Sequence, residues 1–252
     1  MIEFESLCYL QNQKTGCTFV ETFLREFCSE GIVRYEKHRA APRHKSGKFY
    51  FVSVREPLDA YLSLYNYGLD GKGELFGRLR AAGRGDLYAK GIAGFGDWLD
   101  FVLDAANASL IYPQRGVPLA RDLGLMSFRF LRLAALGFEE AGAALQDKAA
   151  IRAFAERERL VDAVIRYESM VPELQQLVSG PLRHAFADLP AALAWLERTP
   201  PINPSKRRDA QEALALPEDL HKKLREREWY LYATHYAPAA LTPQSRKDDH
   251  GR

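Results

Sequence analysis

The sequence predicts an α/β protein built on a parallel sheet, and three observations carry that expectation. Phe49-Tyr-Phe-Val-Ser-Val54 is a near-continuous apolar run, the pattern of a parallel strand buried on both faces. A shorter apolar stretch, residues 4–10, runs through a polar turn into a helical pattern at 18–29. The resulting order, strand, helix, strand, strand, helix, is that of a sheet covered by helices.

Taken in order, Phe4, Leu7, Cys8, Tyr9 and Leu10 mark the first strand. Phe19, Val20, Phe23, Leu24 and Phe27 share one face of the first helix. Ile32 to Tyr35 reads as a short second strand, and residues 36–48 as a basic loop. Pro57 stands near the first turn of the next helix, where a missing N–H costs nothing, and Leu58, Tyr61, Leu62 and Tyr65 follow. Residues 68–96, rich in Gly, Arg and Lys, read as a long loop or loosely helical insertion. Helices are expected at Asp97–Ala106 and Ser127–Leu136, with loop at 109–124. Leu160 to Ile165 is a late strand between helical stretches, followed by short helices at 173–178 and 190–196. An irregular loop at 199–208 precedes a last helix from Pro217 to Tyr232, and the polar tail 238–252 reads as disordered. One domain is expected over 1–237, with 68–125 as an insertion.

Apolar content of 47% and charged content of 27% are those of an ordinary globular protein. A net charge of +2 gives no global basic field, so nucleic acid is not the expected partner. The three cysteines, Cys8, Cys17 and Cys28, have neither zinc spacing nor an even count, and a reducing cytoplasm is the expected location. Glu3 and Glu5 stand where a signal peptide needs positive charge, and no apolar run approaches a membrane span. No integral membrane segment and no metal are expected; oligomeric state is left open.

The chemistry concentrates in Lys14-Thr15-Gly16-Cys17-Thr18, between the first strand and the first helix. A turn feeding a helix aims unpaired N–H groups and the positive dipole end at one point, and a lysine and two hydroxyls add to that. The turn lacks the full G-x-x-x-x-G-K-[ST] signature, and an ordinary helix start has the same look. A second anion candidate ends the apolar strand: Arg55-Glu56-Pro57, with Ser63 eight residues after the arginine. The plain alternative is an ion pair of Arg55 with Glu56 or Asp59 and a filler role for Ser63.

Together these elements resemble the sulfotransferases that use 3'-phosphoadenosine-5'-phosphosulfate (PAPS), the bacterial and carbohydrate enzymes in particular. In that family a K-[TS]-G-x-T turn binds the 5'-phosphosulfate, and R-[ND]-P with a serine eight residues on binds the 3'-phosphate. Cys17 stands here for the commoner glycine and Glu56 for Asp or Asn. Val161-Asp-Ala-Val-Ile-Arg-Tyr-Glu168 resembles the family's V-I-R-Y-E strand, Pro201-Ile-Asn-Pro-Ser-Lys-Arg207 its N-x-S loop, and Glu226 to Tyr232 its last helix. The likeness is weakest from about 68 to 125, which it implies to be an insertion on the acceptor side. It implies a P-loop NTPase-like sulfotransferase fold and transfer of a sulfuryl group from PAPS to a hydroxyl, of a carbohydrate or glycolipid.

The resemblance also implies roles. Lys14 would stabilise the departing phosphate oxygen, and Thr15 to Thr18 would offer backbone N–H groups to the 5'-phosphate. Arg55 and Ser63 would select the 3'-phosphate, and Asn203, Ser205, Lys206 and Arg207 would close over the cofactor. In related enzymes the base is a Glu or His about twenty residues beyond the turn lysine; here the candidates rank His38, Glu36, His44, an imidazole having an ordinary pKa of about 6.5. Each could instead be a solvated loop residue. Two competing functions stay open: a nucleotide-dependent phosphotransferase, and a sulfotransferase-like scaffold that binds anions without turnover. Arg78, Arg80, Arg84 and Lys90 read as a solvated face, and Trp98, Phe101, Phe128 and Phe130 as core.

Overall fold

The computed structural model describes residues 1–199 and 216–237. Asn203, Ser205, Lys206 and Arg207, and the tail from 238, lie outside them.

The sheet has five strands among the described residues: β1 (Ile2–Glu3), β2 (Leu7–Leu10), β3 (Arg34–Tyr35), β4 (Phe49–Val54) and β5 (Ala163–Arg166), in the order β3-β1-β2-β4-β5. β2, β4 and β5 are parallel, with Leu10 opposite Val52 and Val52 opposite Val164. β1 is antiparallel to both β2 and β3, so the sheet is mixed where a parallel one is expected. The cause is local. The apolar run at 4–10 is interrupted by Glu5 and Ser6, and the Phe4 N–H donates to the Leu7 carbonyl at 2.8 Å, folding the chain back into a hairpin. The strand expected over 4–10 is therefore confined to Leu7–Leu10, and β1 is an additional strand before it.

The α-helices among the described residues are α1 (Cys17–Phe27), α2 (Pro57–Leu69), α3 (Glu74–Ala81), α4 (Phe95–Leu103), α5 (Ala108–Ile111), α6 (Leu125–Ala134), α7 (Phe138–Ala141), α8 (Lys148–Arg157), α9 (Met170–Ser179), α10 (Leu189–Arg198), α11 (Glu218–Arg227) and α12 (Trp229–His235). They cover both faces of the sheet. Side chains alternate along each strand, so Leu7, Tyr9, Phe51 and Ile165 pack on one side with α1, α9 and α10. There Phe23 stacks on Phe186 at 5.6 Å between ring centroids and meets the tilted ring of Trp195 at 5.7 Å. Cys8, Leu10, Tyr50, Val52 and Val54 face the other way, into the larger core with α2, α4 and α6.

The stretch 68–125 is part of that second core rather than a loose insertion. Leu75 and Leu79 of α3, Leu87, Phe95, Trp98 and Leu99 are all buried, and the Tyr65 and Tyr88 rings stack at 5.3 Å. Its Gly and Arg content hides a single i, i+4 apolar pair in α3, too short a signal to read as a helix. Trp98, Phe128 and Phe130 are buried as expected. Arg78 departs from expectation: its guanidinium donates to the Tyr112 and Ile111 carbonyls at 2.8 and 2.7 Å instead of facing solvent. Arg84 and Lys90 do pair on the surface, with Asp86 and Asp97. Among the described residues no helix is long and apolar enough to cross a membrane, and no group of three or more His, Cys, Asp or Glu side chains is placed to hold a metal ion.

The C-terminal helices are anchored by one carboxylate. Glu228, between α11 and α12, is fully buried. It accepts from the Tyr61 hydroxyl at 2.6 Å, the Ser127 hydroxyl at 2.7 Å, and the Ser127 and Met126 N–H groups at 2.8 and 3.0 Å. Two of those donors are N–H groups of the first turn of α6, which have no acceptor within their helix.

Candidate functional site

The loops after β2 and β4 meet at the same edge of the sheet, where parallel strands of an open α/β sheet present their carboxyl ends. The turn after β2 is shaped by its backbone. Gly16 has φ 79° and is the N-cap of α1, and Lys14 has φ 67°. Lys14 and His38 are the two non-glycine residues with positive φ among those described, a conformation costing about 1–3 kcal/mol that clusters where geometry serves function. A Cβ on Gly16 would lie 2.9 Å from Tyr167 Cδ2 and 2.8 Å from Met170 Cε. Gly16→Ala is therefore expected to cost about 1–3 kcal/mol, from αL strain and the clash, read as a lowered Tm.

The Thr15 hydroxyl does not point at a ligand. Thr15 is buried, and its Oγ1 donates to the Asn12 carbonyl at 2.9 Å and lies 2.6 Å from Ser53 Oγ, itself 2.6 Å from the Tyr9 hydroxyl. Asn12 Nδ2 closes the network on the Ser53 carbonyl at 3.2 Å. This network ties the turn to β4, so Thr15 brings only its backbone N–H to the site. Ser53, a lone serine in an apolar strand, is the sequence signal for it. Cys17 is also buried, and burial raises its thiol pKa, so it is a small neutral packing residue.

Lys14 Nζ lies 4.2 Å from the centre of the Tyr67 ring. Burial lowers its pKa from 10.5 to about 8, and the nearby charges of Arg55 and Arg129 push the same way. Arg55 leaves the end of β4 with its guanidinium 4.3 Å above the Tyr167 ring and 3.8 Å from Asp59. Its Nε is buried and has no hydrogen-bond partner. The Asp59 contact is thus present but long, and it leaves donors of Arg55 unused. Ser63 lies on the buried side of α2.

The chain segments singled out at the C-terminal end converge on Arg55-Glu56-Pro57. Glu168, just past β5, accepts from the Glu56 N–H at 2.7 Å and from the Tyr236 hydroxyl at 3.0 Å. Glu56 caps α2 by accepting from the Asp59 N–H at 2.9 Å, and it also accepts from the Tyr232 hydroxyl. The acidic residue before Pro57 therefore serves the helix start and the C-terminal helix.

Three candidate bases separate cleanly. His38 returns to the site: its Nδ1 lies 2.9 Å from the Gln11 carbonyl at the end of β2. A carbonyl only accepts, so Nδ1 carries the proton and Nε2 of the neutral ring keeps its lone pair. Burial lowers the His38 pKa, and Lys37 and Arg129 add to this, while the Gln11 hydrogen bond opposes it. Glu36 pairs with Arg34 and, at 3.3 Å, with Arg39, and the Arg34 hydrogen bond lowers its pKa. The His44 ring lies 5.5 Å from that of Tyr50, opposite Cys8 in the sheet, on a loop that then pairs Lys45 and Lys48 with Glu3 of β1. That same pairing uses two cations of the basic 36–48 loop internally.

Sequence reasoning missed Arg129, which adds its charge to both Lys14 and His38. Compared with known proteins, the chain matches no family model, no curated protein and no solved structure.

Proposed function

We propose that the protein is a sulfotransferase of the P-loop-like fold, moving the sulfuryl group of PAPS to an acceptor hydroxyl, with a carbohydrate or glycolipid acceptor as the resemblance implies. One observation carries the reading most: a glycine-capped helix start with Lys14, the unpaired donors of Arg55 and an uncharged His38 converge on one edge of the sheet. The residues fit a ligand with two separated anions. The N–H groups opening α1 suit one phosphate, and Arg55, with Nε unsatisfied, suits the other, with Ser63 of α2 as its proposed companion.

PAPS, when bound, supplies the activated sulfuryl group. His38 Nε2 takes the acceptor's hydroxyl proton as the new S–O bond forms. Lys14 would bring its ammonium to the bridging oxygen and offset the charge that develops there when the sulfuryl group leaves. The turn and Arg55 hold the two ends still, which is where positioning lowers the barrier.

PAPS and its product PAP should raise the Tm of the protein, as native-state ligands do, whereas magnesium–ATP should not. The opposite ranking would sink the assignment. His38→Ala should lower turnover by about 10²- to 10⁴-fold with PAP affinity kept. The pH profile of kcat/KM should be bell-shaped. On the acid side activity is lost as His38 is protonated below its lowered pKa; on the alkaline side it is lost as Lys14 deprotonates near about 8 in the free enzyme.

A further inference from the structure

Beside the proposed cofactor site lies a second concentration of positive charge. Arg129 and Arg132 are one turn apart on α6, in Phe128-Arg-Phe-Leu-Arg132. Arg132 Nη2 donates to the His38 carbonyl at 2.8 Å, which fixes this part of α6 against the base. Tyr61 of α2 reaches the start of α6 from the other side, its hydroxyl 3.2 Å from the Leu125 N–H, which donates to it. Arg129 lies between these two anchor points, and Arg78 of α3 adds its charge nearby.

The acids around this group do not neutralise it. Glu74 meets Arg78 at 3.8 Å and Glu139 meets Arg132 at 4.0 Å, both beyond hydrogen-bond range. Among the described residues no carboxylate lies within ion-pair distance of Arg129. Arg129 Nη1 is buried without a hydrogen-bond partner, and so are Arg132 Nε and Arg78 Nε. An arginine held this way, its charge disfavoured by burial and by two neighbouring guanidiniums, is stabilised by a ligand that brings negative charge and acceptor oxygens. Burial lowers its pKa to about 10, in keeping with that arrangement.

We propose that Arg129 is a specificity residue that binds an anionic group, a carboxylate or an ester sulfate, on the acceptor molecule itself. The acceptor is then an acidic molecule whose hydroxyl reaches His38 while its charge rests on Arg129, supported by Arg132 and Arg78. This rests on the sulfotransferase reading for the identity of the neighbouring site, though not for the unpartnered nitrogen of Arg129.

The test is calorimetric titration of PAP-saturated protein with three probes: methyl β-D-glucuronide, methyl β-D-glucoside 6-sulfate and the neutral methyl β-D-glucoside. Either or both charged probes should bind, the neutral one at least tenfold more weakly, and Arg129→Gln should remove the preference while changing PAP affinity less than threefold. The probe that binds tells carboxylate from ester sulfate. Binding of neither charged probe, or an unchanged preference in Arg129→Gln, overturns the proposal. So does a loss of PAPS but not PAP affinity in Arg129→Gln, which would place the guanidinium on the transferring group. If wild-type protein does not bind PAP, the cofactor reading fails separately. Sulfate titrated into the free protein then reads the pocket: a site present in wild type and lost in Arg129→Gln sustains it, and its absence ends it.

Discussion

Lys14→Met should abolish most activity while making the protein more stable. The variant keeps the aliphatic stem and removes the ammonium. Loss of one charge aimed at a developing oxyanion costs about 10²- to 10³-fold in kcat. Stability moves the other way because the native state holds this ammonium against its preference. With a folded pKa of about 8 against 10.5, the unfolded chain binds the proton more tightly than the native one does between those values. Lys14 alone therefore adds stability as pH increases from about 8 to 10.5, while the buried Cys8 and Cys28 thiols, raised to about 12 and about 11, act the other way in both proteins, so Lys14→Met should show a higher Tm at pH 7 and that advantage should shrink above about 8. Thermal unfolding across this window, beside single-turnover rates, checks both halves. A fall in Tm at pH 7 would mean that the Tyr67 contact outweighs the burial and repulsion.

Glu228→Ala is expected to be the most destabilising of these changes. It removes an acceptor shared by two hydroxyls and two N–H groups, all buried. Stranding such donors costs about 3–5 kcal/mol, equivalent to a Tm lower by about 10 °C or more in a chain of this size. Glu228→Gln keeps one acceptor oxygen but turns an NH₂ toward the start of α6, so it should recover only part of the loss. Denaturant unfolding of the three proteins should rank them wild type, Gln, Ala. An Ala variant within about 1 kcal/mol of wild type would mean that water replaces the carboxylate.

The central elements were legible because long apolar runs and helix starts are local signals. Phe49–Val54, the Pro57 start of α2 and the apolar face of α1 all stand where periodicity puts them. The β1–β2 hairpin was not legible, since two-residue strands have no period and their direction depends on partners elsewhere in the chain. The same division runs through the site. Lys14, Gly16 and Arg55 stand out through motif spacing. Glu36 and His38 look equivalent in the sequence, and only their partners, Arg34 and Arg39 for one and the Gln11 carbonyl for the other, tell them apart. Thr15 reads as a ligand hydroxyl until Ser53, far along the chain, is found against it. Arg129 reads as an ordinary helix arginine because nothing local shows what surrounds it.

Tyr167 touches both halves of the site: one edge fills the space a Gly16 side chain would need, and its face lies 4.3 Å under Arg55. The ring is thus a gauge block set between the two positions proposed to hold anions, which come from distant parts of the sequence. A thinner side chain there would let the holders drift together, and nucleotides with closer-set charges would begin to compete. In descendants of this sequence, positions 16, 55 and 167 should therefore change as a set or not at all.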